Sequence, residues 1–142
     1  MKLDEIDFKI LGFLRLNART SYTEIGNALG IADSTVHIRV KKMMDEGVIN
    51  RFTVDVNNEA LGNVTCLLML NVVPGHFEEV VPSLISSEKI EDVYEVQGQH
   101  VAILKISANN LTEIRNEIVR IRKIPNVIES EMCTILKIWQ NT

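Results

Sequence analysis

Ser34, Thr35 and His37, followed by Arg39, Lys41 and Lys42, are interleaved with Val36, Val40 and Met43, and the three apolar residues stand at i, i+4 and i+7. On a helix such a triplet turns inward and leaves Ser34, Thr35, His37, Ile38, Lys41 and Lys42 for the other faces. Hydroxyls and an imidazole near a helix start can hydrogen-bond base edges or phosphate, and the lysines suit phosphate contacts that fix register. Arg39 has two open readings: it reaches phosphate, or it pairs with an acid on the preceding helix. The whole face also fits an ordinary solvated helix, so its context has to decide.

The remaining reactive residues offer no competing chemistry. His37, His76 and His100 have no cysteine or acid cluster at metal-ligand spacing beside them. Cys66 and Cys133 are 67 positions apart in apolar runs, which reads as two buried thiols. No Ser/His/Asp set, phosphate loop or carboxylate pair is recognisable, so neither catalysis nor a cofactor is expected. The longest apolar run, Cys66 to Leu70, is far short of the roughly 20 residues of a membrane span, and acids stand where a signal peptide needs apolar residues. A cytoplasmic protein is expected.

A net charge of −4 over 142 residues is unfavourable for a polyanion partner, so its distribution matters. Eight bases balance eight acids up to Asp55, and the other seven bases face eleven acids beyond it. The acidity therefore belongs to the second half, and Arg39, Lys41, Lys42 and Arg51 make a local positive cluster in the first.

Three helices must position that cluster. The first starts at Asp4, with Glu5 and Asp7 suited to the positive end of the helix dipole and Leu3 and Phe8 at hydrophobic-staple spacing. Its core stripe is Ile6, Ile10, Phe13 and Leu14. Ser21 and Glu24 have capping-box spacing for a second helix, buried through Ile25, Ala28 and Leu29 and ended by Gly30. Only Ile31 and Ala32 precede the third helix, Asp33 to Asp45, buried through Val36, Val40, Met43 and Met44. Two helices joined so tightly must cross steeply, as a helix-turn-helix. Val48 to Val56, with Phe52, Val54 and Val56 alternating, reads as a strand leaving this domain. The expected division is a DNA-binding domain at 1–50, a strand and linker at 51–63, and a second domain at 64–142.

From Val64 the order is strand, helix, strand, strand, helix, strand, with Gln97-Gly98-Gln99-His100 as a tight hairpin and a last strand from Val127 to Trp139. A βαββαβ order makes a ferredoxin-like sandwich with helices on one face of an antiparallel sheet, and the fold class α+β. Leu68, Leu70, Val93 and Leu104 read as too many apolar residues for both sets to meet the helices. An apolar open face of this kind is expected to dimerise, which suits a protein reading paired half-sites on double-stranded promoter DNA. An RNA-binding module of the same order is disfavoured, because it needs stacking aromatics on the central strands, which offer Tyr94 alone, and the half is acidic.

Leu3-Asp4-x-x-Asp7-x-x-Ile10-Leu11, Asn17-Ala18-Arg19, the run Ser34 to Met43 and Gly47-Val48-Ile49 resemble the Lrp/AsnC transcription regulators, with similarity extending from Leu3 to about Leu136. The resemblance implies a winged helix-turn-helix followed by a RAM domain that dimerises, often assembles into octamers, and binds small molecules, usually amino acids, between dimers. It also implies an effector site at Gly98, Gln99, His100 and Val101, with Thr134, Tyr94 and Glu131 near it. Gly98 equally suits a plain hairpin turn that needs φ > 0. The chain departs from the family in two places. Ala32 replaces a usual Ser before the third helix, leaving Asp33 or Ser34 to cap it. Gln99 and Val101 stand where the family commonly carries acids. If those acids hold an α-ammonium group, a ligand-independent architectural DNA binder becomes the alternative.

Overall fold

The computed structural model describes residues 2–140, and the chain divides into two compact units, Met1–Asp55 and Val56–Thr142. Met1, Asn141 and Thr142, at the ends of the expected domain ranges, lie outside the described residues.

The first unit holds α1 (Glu5–Leu16), α2 (Tyr22–Leu29) and α3 (Asp33–Asp45) around one core of Ile10, Leu14, Ile25, Val36, Val40 and Met43. Asp4 and Asp7 form a reciprocal capping box: the Asp7 amide donates to Asp4 Oδ1 at 2.9 Å and the Asp4 amide to Asp7 Oδ2 at 3.0 Å. Ser21 Oγ accepts from the Glu24 amide at 3.1 Å, and Gly30 closes α2 at φ 69°. Three apolar expectations fail here: Ala28, read as part of the buried stripe of α2, is exposed, as are Phe8 and Met44. Phe8 is 61% exposed and Met44 42% exposed, because their positions turn away from the centre of the buried stripe.

The strand expected from Val48 to Val56 is absent. Val48 and Ile49 instead fold back, both amides donating to the Met43 carbonyl, and residues 50–56 join no sheet. Alternation alone does not make a strand, since its backbone groups need a neighbouring ladder and the described residues supply none.

The second unit contains β1 (Val64–Val72), α4 (Phe77–Ile85), β2 (Ile90–Glu95), β3 (Ala102–Ala108), α5 (Leu111–Arg122) and β4 (Val127–Thr134). All pairings are antiparallel and the strand order is β2-β3-β1-β4, the expected split βαβ sandwich. β4 stops at Thr134, short of the expected Trp139. Beyond the Ile135 amide, which donates to the Thr65 carbonyl at 3.0 Å, Leu136 and Trp139 are almost fully exposed.

Register corrects the reading of the two sheet faces. Leu68 pairs with Leu104, and Leu104 with Val93, so these residues and Leu70 form one set. Leu68, Leu70 and Leu104 are wholly buried against the helices, with Cys66, Ile106, Leu84, Ile114 and Ile121. The open face carries the alternate set, Leu67, Met69 and Ile103, all half-buried, beside Tyr94 and Lys105. It also carries Cys133, opposite Leu67, which is exposed and not the buried thiol expected. Cys66 is buried, and burial pushes its thiol pKa up.

Candidate nucleic-acid interface

The turn between α2 and α3 sets the angle of the polar helix. The Ile31 amide donates to the Gly26 carbonyl at 3.0 Å, and a Cβ at Gly26 would come within 2.6 Å of the Ile31 carbonyl oxygen. Only glycine lets the backbones approach this closely, a requirement that apolar periodicity did not reveal. Val36, Val40 and Met43 then fix the rotation of α3 by burying one stripe.

Its start departs from expectation. Ala32 is the N-cap and supplies no side-chain bond. Asp33 lies inside the helix, where its Oδ1 accepts from the Ser34 amide at 2.8 Å and its Oδ2 from Thr23 Oγ1 at 3.4 Å. Asp33 thus gives partial compensation and Ser34 keeps its hydroxyl outside any capping bond.

The other residues of the face separate by what they touch. Ser34, His37, Ile38, Lys41 and Lys42 are exposed, and Thr35 is half-buried. The His37 ring leans on Tyr22 of α2, centroids 5.6 Å apart and planes at 59°, which limits where the imidazole points. Lys41 reaches Asp45 at 3.4 Å with both side chains well exposed, a pairing that costs little to break.

Arg39 is the exception. Its Nη1 donates at 2.8 Å to both Asp4 Oδ2 and Asp7 Oδ1, and the Asp7 side chain is 3% exposed. The Asp4 carboxyl is held below its usual pKa by the Asp7 amide and by Arg39, and the guanidinium pKa rises because of Asp4 and Asp7. Of the two sequence readings, the ion pair with α1 is the one formed. Arg39 is a strut between α1 and α3, its guanidinium drawn toward α1. The positive cluster accordingly loses one charge.

The hairpin residues gather only in part. The Val96 amide donates to the Val101 carbonyl at 2.9 Å, closing the loop, and Gly98 has φ 156°. The Val101 amide is tied to β1 through the Leu70 carbonyl and Asn71 Oδ1, at 3.0 and 3.2 Å. His100 meets Glu131 at 3.7 Å and Asn71 at 3.4 Å, and Asn71 also reaches Glu129 at 3.4 Å. His100, Val101 and Glu131 are therefore brought together, with Asn71 and Glu129 as members the sequence reading missed. Their positions lie on β1, on β4 and in the hairpin before β3, and strand register was the missing signal. Gly98 and Gln99 stay exposed at the loop tip. Tyr94 shares the open-face row Tyr94, Ile103, Met69, Glu131, but three strand spacings put it about 14 Å from Glu131. Thr134 pairs with Cys66 and so lies on the other face, about 13 Å along β1 from the residue that anchors the hairpin.

A tight two-helix turn with a polar, exposed second helix, followed by an independent antiparallel α+β unit, defines a helix-turn-helix DNA-binding regulator. Residues 3–50 match the family model described as winged helix-turn-helix DNA-binding. The chain is 35% identical over 143 residues to the HTH-type transcriptional regulator FL11 of Pyrococcus abyssi, an alignment covering 100% of this chain and 95% of that protein. Its structure is similar to that of B. subtilis LrpC (TM-score 0.83, 25% identity, 100% of both chains). It also shares its fold with the transcriptional regulator NMB0573 of Neisseria meningitidis, solved as an L-Met complex (TM-score 0.85, 16% identity, 99% and 94% of the two chains). The chain belongs to the Lrp/AsnC family of transcription regulators, and regulates transcription by binding DNA.

Proposed function

We propose that Ser34, Thr35, His37, Ile38, Lys41 and Lys42 form the DNA-contacting surface on double-stranded promoter DNA. The supporting observation is the division of labour on α3: Val36, Val40 and Met43 are buried and Arg39 is engaged with α1, leaving these six turned outward. Ser34, Thr35 and His37 suit base edges and nearby phosphates, and Lys41 and Lys42 suit phosphates. The open sheet face of Leu67, Met69 and Ile103 supports assembly as a homodimer, with higher states up to an octamer built from it. No helix among the described residues is long and apolar enough to cross a membrane, and a promoter-binding protein works in the cytoplasm. Gel-shift titration at fixed salt tests the assignment. Thr35→Ala, His37→Ala and Lys41→Ala should each weaken binding, and unchanged affinity in all three would remove α3 from the interface.

An amino-acid effector at the hairpin is the regulatory part of the proposal. NMB0573 was solved with L-Met. Gln99 and Val101 carry no charge here, but Glu131 meets His100 directly and Glu129 reaches it through Asn71, so both offer carboxylates to an ammonium group. The uncharged hairpin favours the second reading, a ligand-independent architectural binder. Thermal shift across the amino acids separates the two: a stabilised second unit supports the effector, and silence across the panel supports the architectural reading.

A further inference from the structure

Ile38 has no structural reason to be apolar. With about 100° of turn per residue, it stands opposite the centre of the Val36, Val40, Met43 stripe. It is 66% exposed, and its outward line is shared with Ser34, one turn before it, and with Lys41 and Lys42, one turn after it. Neither core of the described residues includes Ile38. A single branched aliphatic side chain thus projects from the middle of a hydroxyl-bearing and cationic face.

Four base pairs present donors and acceptors in the major groove, but only thymine adds an apolar group, its C5-methyl. An aliphatic side chain offers no hydrogen bond, so its favourable contact there is with that methyl. We infer that Ile38 is a specificity-determining residue that selects a thymine by burying its C5-methyl, with Ser34 and the two lysines fixing the register that brings the two together. The inference rests on the recognition-helix reading above and specifies what one of its residues reads. β-Branching helps, because the χ1 of Ile38 is restricted on a helix and little conformational freedom is lost on contact.

The test uses the full chain and a duplex recovered by selection from a randomised double-stranded DNA library. Each thymine is replaced in turn by deoxyuridine, which removes the methyl and keeps the pairing edge. Wild-type protein should lose about fourfold in affinity at one position per half-site, the value for one buried methyl-sized group. Ile38→Ser should bind more weakly and be indifferent to uracil at that position, and Ile38→Val should restore the discrimination. Circular dichroism establishes that each variant is folded. Uniform tolerance of uracil, with Thr35→Ala and Lys41→Ala still weakening binding, overturns the thymine assignment and leaves the recognition helix standing. Uracil sensitivity that persists unchanged in Ile38→Ser overturns it too. If Thr35→Ala, His37→Ala and Lys41→Ala all leave affinity unchanged as well, the recognition-helix reading itself falls.

Discussion

Replacing Arg39 with alanine separates a strut from a phosphate contact. In the folded protein Arg39 Nη1 holds Asp4 and Asp7 at 2.8 Å each, and the two carboxylates differ in surroundings. Asp4 is about half exposed and rehydrates when the guanidinium goes. Asp7, 3% exposed, cannot do so, and keeps only the Asp4 amide at 3.0 Å as a donor. Losing a charge-assisted bond to a buried carboxylate, with one bond retained, should destabilise the first unit by about 2–3 kcal/mol. For a unit of this size that corresponds to a fall of about 10–20 °C in its melting temperature. Thermal unfolding of the full chain, followed by a probe in the first unit, reads this directly. DNA binding supplies the second measurement. A strut carries no phosphate, so at a temperature where Arg39→Ala is folded, the slope of log affinity against log salt should match wild type. Asp7→Asn gives the sign: near a phosphate-binding arginine, deleting an acid should tighten DNA binding, whereas deleting part of a strut should not. Stability unchanged within about 0.5 kcal/mol, together with a salt slope reduced by about 0.9, would refute the argument.

Gly26→Ala should destabilise the first unit or open the α2–α3 angle and abolish specific DNA binding, because its Cβ meets the Ile31 carbonyl and backbone cannot yield as a side-chain tip can; near wild-type affinity would show that the turn relaxes. Burial alone would raise the Glu91 carboxyl above its usual 4.5, but bonds from Lys105, Ser107 and Asn58 outweigh it and hold the pKa lower. The folded value is the depressed one, so this contribution is complete above 4.5 and is lost as pH falls through the folded pKa. Urea titrations should therefore show a shallower acid loss of stability in Glu91→Gln than in wild type, and identical slopes would count against the pairing. Ile103→Asp places a carboxylate in the open sheet face, and sedimentation should show self-association weakened at least about tenfold; an unchanged assembly would move the interface elsewhere.

The elements that were legible in the sequence are those whose signals are local. The Asp4 cap, the Ser21 cap, Gly30 at φ 69° and the Val36, Val40, Met43 stripe lie within a few residues of what they specify. The errors share the opposite property. Val48 to Val56 alternates as a strand should, yet pairing is decided by a partner ladder that alternation does not encode. Leu68, Leu70, Val93 and Leu104 read as too many to meet the helices until register joined them in one set through Leu104. Arg39 illustrates the same limit at the site: its neighbours in sequence are cations and core residues, and the acids that claim it lie 32 and 35 positions away. Three charges therefore belong to the scaffold, two of them acidic, and they hold α3 from its flank, about 100° around the helix from Ile38. The acidic composition that argued against a DNA binder is thus partly structural even in the neutral half. What specifies sequence recognition is the short list left once scaffold residues are removed, and Ile38 stands at its centre because nothing in the scaffold uses it.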